Sequence, residues 1–285
     1  MRTSNLFVAR HLAAARALLV FTVLLGVAYP LALVGVAQLP GLNAKAEGSL
    51  VLDGDQVVGS RLIGQSFTDA DGDPLPAYFQ SRPSAAGMGY DPTSTSASNL
   101  GPEDVVDTPD RPSLLTQVCA RSRTVGELEG VDGTRPYCTH DGVGAVLGVY
   151  YAHGLTGDVV RAVSLNQTTG TPFLRQYRGV PVELAELGAD YSDAVVVAIR
   201  GDAPDDPTVP ADAVTASASG LDPDISPAYA RLQAPRVARE RGIDVAEVQS
   251  LIEENTHGRA LGLLGQAGVN VLELNLALDE RYPQP

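Results

Sequence analysis

The chain has 285 residues and a formal net charge of −14, with 34 acidic against 20 basic residues. So acidic a surface disfavours nucleic acid and anionic lipid headgroups as partners. Lys45 is the only lysine and follows no glycine-rich loop, which excludes the phosphate-binding loop and lysine that a self-contained ATPase needs.

Residues 17–39 form an uncharged, mostly apolar run. At about 1.5 Å per helical residue, such a run is long enough to cross the ~30 Å hydrocarbon layer of a membrane. Arg2, Arg10 and Arg16 precede it, and positive charge is retained on the cytoplasmic side. The sequence therefore predicts a single-pass protein of the cell membrane, with residues 1–16 cytoplasmic and the main domain extracytoplasmic.

A cleaved signal peptide is the alternative, because Ala44-Lys45-Ala46 has the pattern of a cleavage site. The apolar run is longer than the usual signal segment of about 7–15 residues, which favours an uncleaved anchor. Gly26 and Gly35 lie inside the span, where small residues let another helix approach closely. We predict helix packing at these glycines; the alternative is that glycine is simply common in membrane helices.

The segment after the span begins as a hairpin and continues as a loop. Short β-prone runs at 49–52 and 56–64 flank Asp53-Gly54-Asp55, a turn sequence. Residues 66–112 are rich in turn-forming residues, and a set of large side chains should anchor them as an ordered loop: Tyr78, Phe79, Met88, Tyr90 and Leu100. Asp69, Asp71 and Asp73 begin like a calcium loop, but the glycine comes too early, which predicts a solvated turn.

A helix capped by Ser113 should follow the loop. Short β-like pieces then occur at 143–151, 159–165 and 194–199, separated by Gly and Pro turns, so residues 127–205 read as a small β-rich insertion. Cys119 and Cys138 lie beyond the span, where oxidising conditions permit a disulfide. We predict that bridge, with two free buried thiols as the alternative.

The C-terminal part carries the clearest local signals. Ser226-Pro227 predicts a helix start, with a bend or restart at Pro235. Asp244 and Glu247 form a capping-box pattern for a helix that Gly258 would end. Leucines alternating with other residues over 272–278 predict a half-buried strand. The expected fold is an extracytoplasmic α+β domain, built from residues 40–126 and 206–285, behind the single membrane helix.

Catalytic patterns are absent from the sequence. There is no Gly-x-Ser-x-Gly elbow, and the three histidines after the span, His140, His153 and His257, are far apart. With no Cys-x-x-Cys, a zinc or redox site is not indicated either. We expect no catalytic residues and no metal; a membrane-anchored hydrolase or binding module is the alternative.

Several segments occur in order behind the one span and together resemble the KdpC family, the C subunits of bacterial Kdp potassium-transporting P-type ATPases. They are 60–67 (SRLIGQSF), 78–79 (YF), 82–85 (RPSA), 98–102 (SNLGP), 214–223 (VTASASGLDP), 233–238 (QAPRVA) and 269–279 (VNVLELNLALD). The resemblance covers about 1–102 and 208–285. Residues 127–205 depart from it, since family members usually lack them.

The resemblance implies an accessory subunit of a high-affinity potassium uptake complex. Its partners would be a channel-like potassium-translocating subunit and an ATP-hydrolysing P-type subunit. The family is described as a catalytic chaperone that raises the ATP affinity of the hydrolysing partner, so ATP enters by that description alone. In the family, two of these segments are proposed to resemble a nucleotide-binding signature. The residues of this chain that match them are Thr215, Ser217, Ser219, Gly220 and Gln233.

The roles that the resemblance implies have physical alternatives. ATP is cytoplasmic, whereas only about 16 residues are predicted on that side, which favours assembly and coupling over direct ATP contact. Gly220 and Pro223 could instead form a turn in which the hydroxyls cap backbone groups. Arg82 could bind an acidic partner or form an internal ion pair.

Overall fold

The computed structural model describes residues 2–259 and 261–283. The chain divides into two compact units, one up to Ser60 and one from Arg61 onward. A long apolar helix precedes all the strands, and the rest mixes helices with β-strands, so the predicted α+β class is confirmed.

The first unit begins with a continuous helical run. α1 (Arg2–Val23) passes through a π-helical stretch (Leu24–Ala28) into α2 (Tyr29–Ala37). Pro30 stands in the first turn of α2; it lacks an N–H and its ring crowds the preceding turn, which the wider π-helical turn accommodates. Leu6–Ala37 is long and apolar enough to cross a membrane and is 0% buried within the chain. The apolar helix that could cross a membrane thus starts before residue 17 and ends at Ala37.

A short hairpin completes this unit. Its elements are α3 (Asn43–Ala46), β1 (Leu50–Asp53) and β2 (Gln56–Ser60). The strands are antiparallel, and the turn between them uses Gly54 at a φ of +58°. The prediction that the second strand reaches Gly64 is wrong, because the Gly64 N–H donates instead to the carbonyl of Leu221, at 2.9 Å.

The second unit opens with a long ordered loop. Residues 61–112 contain no helix and no strand longer than an isolated bridge. Phe79 is fully buried and Tyr90 is 8% exposed, as expected for side chains that anchor the loop. Met88 does not anchor the loop: it is fully exposed, at a tip between Gly87 and Gly89, both of which have positive φ.

The helix predicted after this loop is confirmed. α4 (Leu114–Glu129) starts where the Ser113 hydroxyl accepts the N–H of Thr116, and it ends at Gly130 in the left-handed conformation. In the structure Cys119 on this helix is joined to Cys138 by a disulfide, with Cα atoms 5.4 Å apart.

A five-stranded sheet follows α4. Its strands are β3 (Val146–His153), β4 (Thr156–Ser164), β5 (Gln176–Tyr177), β6 (Val180–Leu184) and β7 (Val195–Ala198). Their order is β5-β6-β4-β3-β7, and all pairs are antiparallel except β4 with β6. Buried residues alternate between the two faces, with Val146 and Val163 in one cluster and Leu147 and Ala162 in the other.

The C-terminal part packs four helices and a small sheet around the main core. Its elements are β8 (Asp224–Ile225), α5 (Pro227–Arg241), α6 (Val245–Glu254), β9 (Thr256–His257), β10 (Gly268–Asn270) and α7 (Val271–Arg281), with α4 as the fourth helix. The three strands lie in the order β8-β10-β9. The fully buried core side chains include Phe79, Val237, Leu251, Ile252, Leu274 and Leu278.

Both predicted helix starts in this part are confirmed, by the Ser226 cap and by the Asp244–Glu247 capping box. Of the bend or restart predicted at Pro235, the restart is wrong: α5 runs through this residue, because buried neighbours on both sides hold the helix against the cost of the missing hydrogen bond. Gly258 does not end α6. The helix ends at Asn255, whose amide donates to the Leu251 carbonyl at 2.8 Å.

The predicted strand over 272–278 is also wrong, because these residues form α7. Asn270 caps that helix by accepting the N–H of Glu273 at 3.1 Å. Val271, Leu274 and Leu278 are all buried, and their spacing is helical, so the same leucines that alternate along the sequence also form one helix face.

Candidate functional site

Polar side chains from the C-terminal half hold the segment of residues 76–90, which we call the 76–90 loop. Arg82 contributes the first contact. Its Nη1 lies 2.8 Å from a carboxylate oxygen of Asp222, and its Nε and Nη2 donate to the Thr215 carbonyl at 3.4 and 3.2 Å. The internal ion pair, one of the two roles expected for Arg82, is therefore present.

A tight approach at Gly220 forms the second contact. Gly220 has a φ of +70°, and a Cβ there would lie 2.7 Å from the Cβ of Ala86. The Ser84 hydroxyl donates to the Gly220 carbonyl at 2.6 Å, and the Gly220 N–H donates to the Ser217 hydroxyl at 3.0 Å. Only glycine fits both the backbone conformation and the space.

Two buried amide side chains make the third contact. Asn275 Oδ1 accepts the N–H of Phe79 at 2.9 Å, and its Nδ2 donates to the Phe79 carbonyl at 3.0 Å. Gln233 pairs in the same way with Gln80, at 2.7 and 3.1 Å. Two successive residues of a loop thus receive the hydrogen bonds that a neighbouring strand would otherwise supply.

A buried ion pair lies beside these amides. Arg236 and Glu129 are 1% and 0% exposed, and their closest charged atoms are 3.0 Å apart. Arg236 also donates to the carbonyls of Pro76 and Tyr78. Burial raises the pKa of Glu129, and the hydrogen bonds from Arg236 oppose that rise. The pair ties the end of α4 to α5 and to the 76–90 loop.

Tyr90 closes the loop at its far end. Its hydroxyl donates to the Arg82 carbonyl. Burial raises the pKa of Tyr90 to about 12, so the group stays protonated and keeps donating at neutral pH. Together these contacts, which we call the scaffold, fix the position of the 76–90 loop against the C-terminal part of the chain.

The residues with the family-derived nucleotide role divide into two places. Thr215, Ser217, Ser219 and Gly220 are close together in sequence. The Thr215 hydroxyl donates to the Ala211 carbonyl, the Ser219 hydroxyl accepts the Leu221 N–H, and Gly220 packs against Ala86 of the 76–90 loop. Gln233 is fully buried, and its side chain contacts Gln80 and Arg236. These contacts are those expected from the alternative interpretation of this segment, a turn in which hydroxyl groups cap backbone groups.

Acidic and histidine side chains form no metal-binding group in the described part of the chain. No group of three or more His, Cys, Asp or Glu side chains could hold a metal there. Asp69 accepts the backbone N–H groups of Asp71 and Asp73, each at 2.9 Å, as expected of a solvated turn. His257 pairs with Asp224 at 2.8 Å.

Asn275 and Arg236 were not singled out from the sequence, although they carry much of the scaffold. Both lie in segments that carry the family resemblance. The available signal was a polar residue on the buried face of a helix, since buried polar groups are almost always hydrogen-bonded to something specific. For Asn275 that signal was hidden by the strand interpretation.

The chain is similar to a known protein family and to individual proteins within it. The family model described as "KdpC: K+-transporting ATPase, c chain" matches residues 11–128 and 182–280. Proteins named potassium-transporting ATPase KdpC subunit are similar to this chain. That of Beijerinckia indica is 38% identical, with 93% of this chain and 91% of the relative covered. That of Caulobacter vibrioides is 39% identical, covering 92% and 89%, and that of Mycobacterium tuberculosis is 37% identical, covering 92% and 93%.

The unmatched residues 129–181 fall inside the predicted insertion of 127–205. Each of these relatives is covered over about nine tenths of both lengths, so they are similar in length to this chain. The family model matches most of the apolar N-terminal helix and the C-terminal core. The chain belongs to the KdpC family.

Proposed function

We propose that this chain is a non-catalytic, membrane-anchored subunit of a potassium-transporting ATPase, and that it supports assembly and coupling of the complex. The proposal rests on the family match together with the exposure of the apolar helix. That helix, Leu6–Ala37, is 0% buried in its own chain. A fully unburied apolar helix needs lipid or a partner helix around it.

Orientation belongs to the same proposal. Residues 1–16 contain three arginines, Arg2, Arg10 and Arg16, and no acidic residue. This positive charge before the apolar run favours a cytoplasmic N-terminus. The Cys119–Cys138 disulfide suits an oxidising compartment, and so supports an extracytoplasmic second unit.

The proposed partners are a channel-like potassium-translocating subunit and an ATP-hydrolysing subunit of the same complex. In this proposal the chain affects ATP affinity through contacts with the hydrolysing subunit rather than by holding nucleotide. Two facts support that reading: the chain has one lysine and no phosphate-binding loop, and Gln233 is buried against Gln80.

The test is growth under potassium limitation. A strain lacking only this chain should fail to grow at low potassium, grow normally at high potassium, and recover when the full chain is supplied from a plasmid. The other subunits must be shown to be present in the membrane. Normal growth at low potassium with those subunits intact and this chain absent would disprove the proposal.

A further inference from the structure

A cavity of about 500 Å³ opens between α4 and the 66–90 segment. We call it the Arg121 cavity. Its lining residues include Arg82 and Arg121, Ser66 and Tyr229, and Thr124 and Leu128 on α4. Its volume falls within the range of about 300–1,000 Å³ typical of small-molecule sites, and its lining combines apolar surface with a few polar groups, as such sites do.

The charge of the lining is unusual for this chain. Two arginines line the Arg121 cavity and no aspartate or glutamate does, although the chain has 34 acidic and 20 basic residues. Three other cavities in the described part of the chain contain acidic residues, such as Glu127, Asp212 and Asp107. The Arg121 cavity is therefore a locally cationic site on a strongly acidic protein.

The two arginines differ in how their charge is balanced. Arg82 is paired with Asp222 at 2.8 Å. Arg121 donates only to neutral groups, the Val214 carbonyl at 3.0 Å and the Gln117 side-chain oxygen at 3.2 Å, and the described residues offer it no carboxylate. A guanidinium has five N–H donors, so several remain for a ligand. Burial lowers the pKa of Arg121.

Two hydroxyl-bearing residues add further donors. Tyr229 is 3% exposed and lines the cavity, and its hydroxyl has no hydrogen bond to another described residue. A hydroxyl donates one hydrogen bond, so an oxygen atom of a ligand in the cavity would give this group a partner. The hydroxyl of Ser66, also without a partner among the described residues, lies on the same wall.

We propose that the Arg121 cavity binds a small organic monocarboxylate. One unbalanced guanidinium calls for a single negative charge, and a carboxylate matches its planar, forked donors. Leu128 and the neighbouring apolar wall of α4 would contact the hydrocarbon part of the acid. No residue of this cavity reacts with the ligand; the site only binds it.

The test uses benzoate as the probe and benzamide, which has the same shape and no charge, as its control. Binding to the full-length chain in a neutral detergent is measured by isothermal titration and by thermal shift at constant ionic strength. Benzoate should bind and raise the unfolding midpoint, whereas benzamide should do neither. Arg121→Gln should weaken benzoate binding by about tenfold or more, the range expected for a lost charge-assisted hydrogen bond, and Arg178→Gln, an exposed arginine outside the cavity, should not.

A second variant guards against a folding defect in Arg121→Gln. Thr124 is exposed on α4, three residues after Arg121, so Thr124→Glu would place a carboxylate beside the guanidinium without removing any internal hydrogen bond. It should abolish benzoate binding while the chain stays folded.

Equal binding of benzamide and benzoate, unchanged affinity in both variants, or no binding by the wild-type chain would each overturn the proposal. The titration is then repeated on the intact complex. Retained binding supports a free carboxylate ligand. Loss of binding on assembly would overturn it, because a partner's side chain would then occupy the cavity.

Discussion

The side chain of Gln233 holds both backbone polar groups of Gln80. Its Oε1 accepts the Gln80 N–H at 2.7 Å, and its Nε2 donates to the Gln80 carbonyl at 3.1 Å. The family resemblance implies a nucleotide role for Gln233, whereas these contacts indicate a structural one, and the two roles predict different consequences when it is replaced.

We expect Gln233→Leu to lower the free energy of unfolding by about 2–4 kcal/mol. The reason is that both backbone groups of Gln80 would lose their partner inside the protein, and each buried polar group left unpaired costs about 1–3 kcal/mol. Urea titration of the full chain in detergent measures the change. Gln249→Leu, on the exposed face of α6, is the matched control and should change it by less than about 0.5 kcal/mol. Wild-type stability combined with weaker ATP binding by the assembled complex would instead favour the nucleotide role.

Acid stability should depend on Arg111. Its side-chain hydrogen bonds hold the pKa of Asp104 below the ordinary value, with help from the Leu114 N–H. A carboxyl with a lowered pKa in the folded state stabilises the fold above its unfolded pKa, and that stabilisation is lost as the pH falls through the folded pKa. Arg111→Ala should therefore move the acid-unfolding midpoint to higher pH, as followed by circular dichroism. Arg178→Ala removes a cation with no carboxylate partner in the described part of the chain, and should leave the midpoint in place.

Reduction of Cys119–Cys138 should destabilise the chain by about 3 kcal/mol, as the chain-entropy estimate gives for a loop of this length. The untreated protein should show a mass two hydrogens below that of the reduced form. A double Cys119→Ser, Cys138→Ser variant should be equally destabilised and insensitive to reductant. Two free thiols in the untreated protein would contradict the bridge.

Orientation can be measured with an engineered cysteine. Gln249→Cys lies on an exposed helix face of the second unit. If the N-terminus is cytoplasmic, a membrane-impermeant thiol reagent should label this cysteine in intact cells as fully as in permeabilised ones. Labelling only after permeabilisation would reverse the proposed topology and make direct contact with cytoplasmic ATP possible again.

The membrane helix should also serve as an interface. A Cβ at Gly26 or Gly35 would meet nothing within 4 Å in the chain itself, so leucine there should be harmless unless a partner helix lies close. Gly26→Leu and Gly35→Leu should insert normally but reduce co-purification with the other subunits. Val27→Leu and Val34→Leu, one residue away on a different side of the helix, are the controls. Full co-purification of both glycine variants would show that these glycines are incidental.

Local signals in the sequence were enough for the membrane helix, for the α+β class, and for the helix starts at Ser113, Ser226 and Asp244. Each depends on neighbouring residues, since capping joins groups two or three positions apart and a membrane span is one continuous apolar run. The strand predicted over 272–278 failed because alternating leucines fit both periods, and the Asn270 cap together with burial of Leu274 and Leu278 selected the helix.

The scaffold around the 76–90 loop was decided only by the tertiary structure. Gln233 and Gln80 are 153 residues apart in sequence, and Asn275 and Phe79 are 196 apart. The local signal, a polar residue on the buried face of a helix, indicates that such amides are hydrogen-bonded but does not say to which residues. Their role exists only because folding of the core brings α5 and α7 to the same stretch of backbone, which must find hydrogen-bond partners once water is excluded.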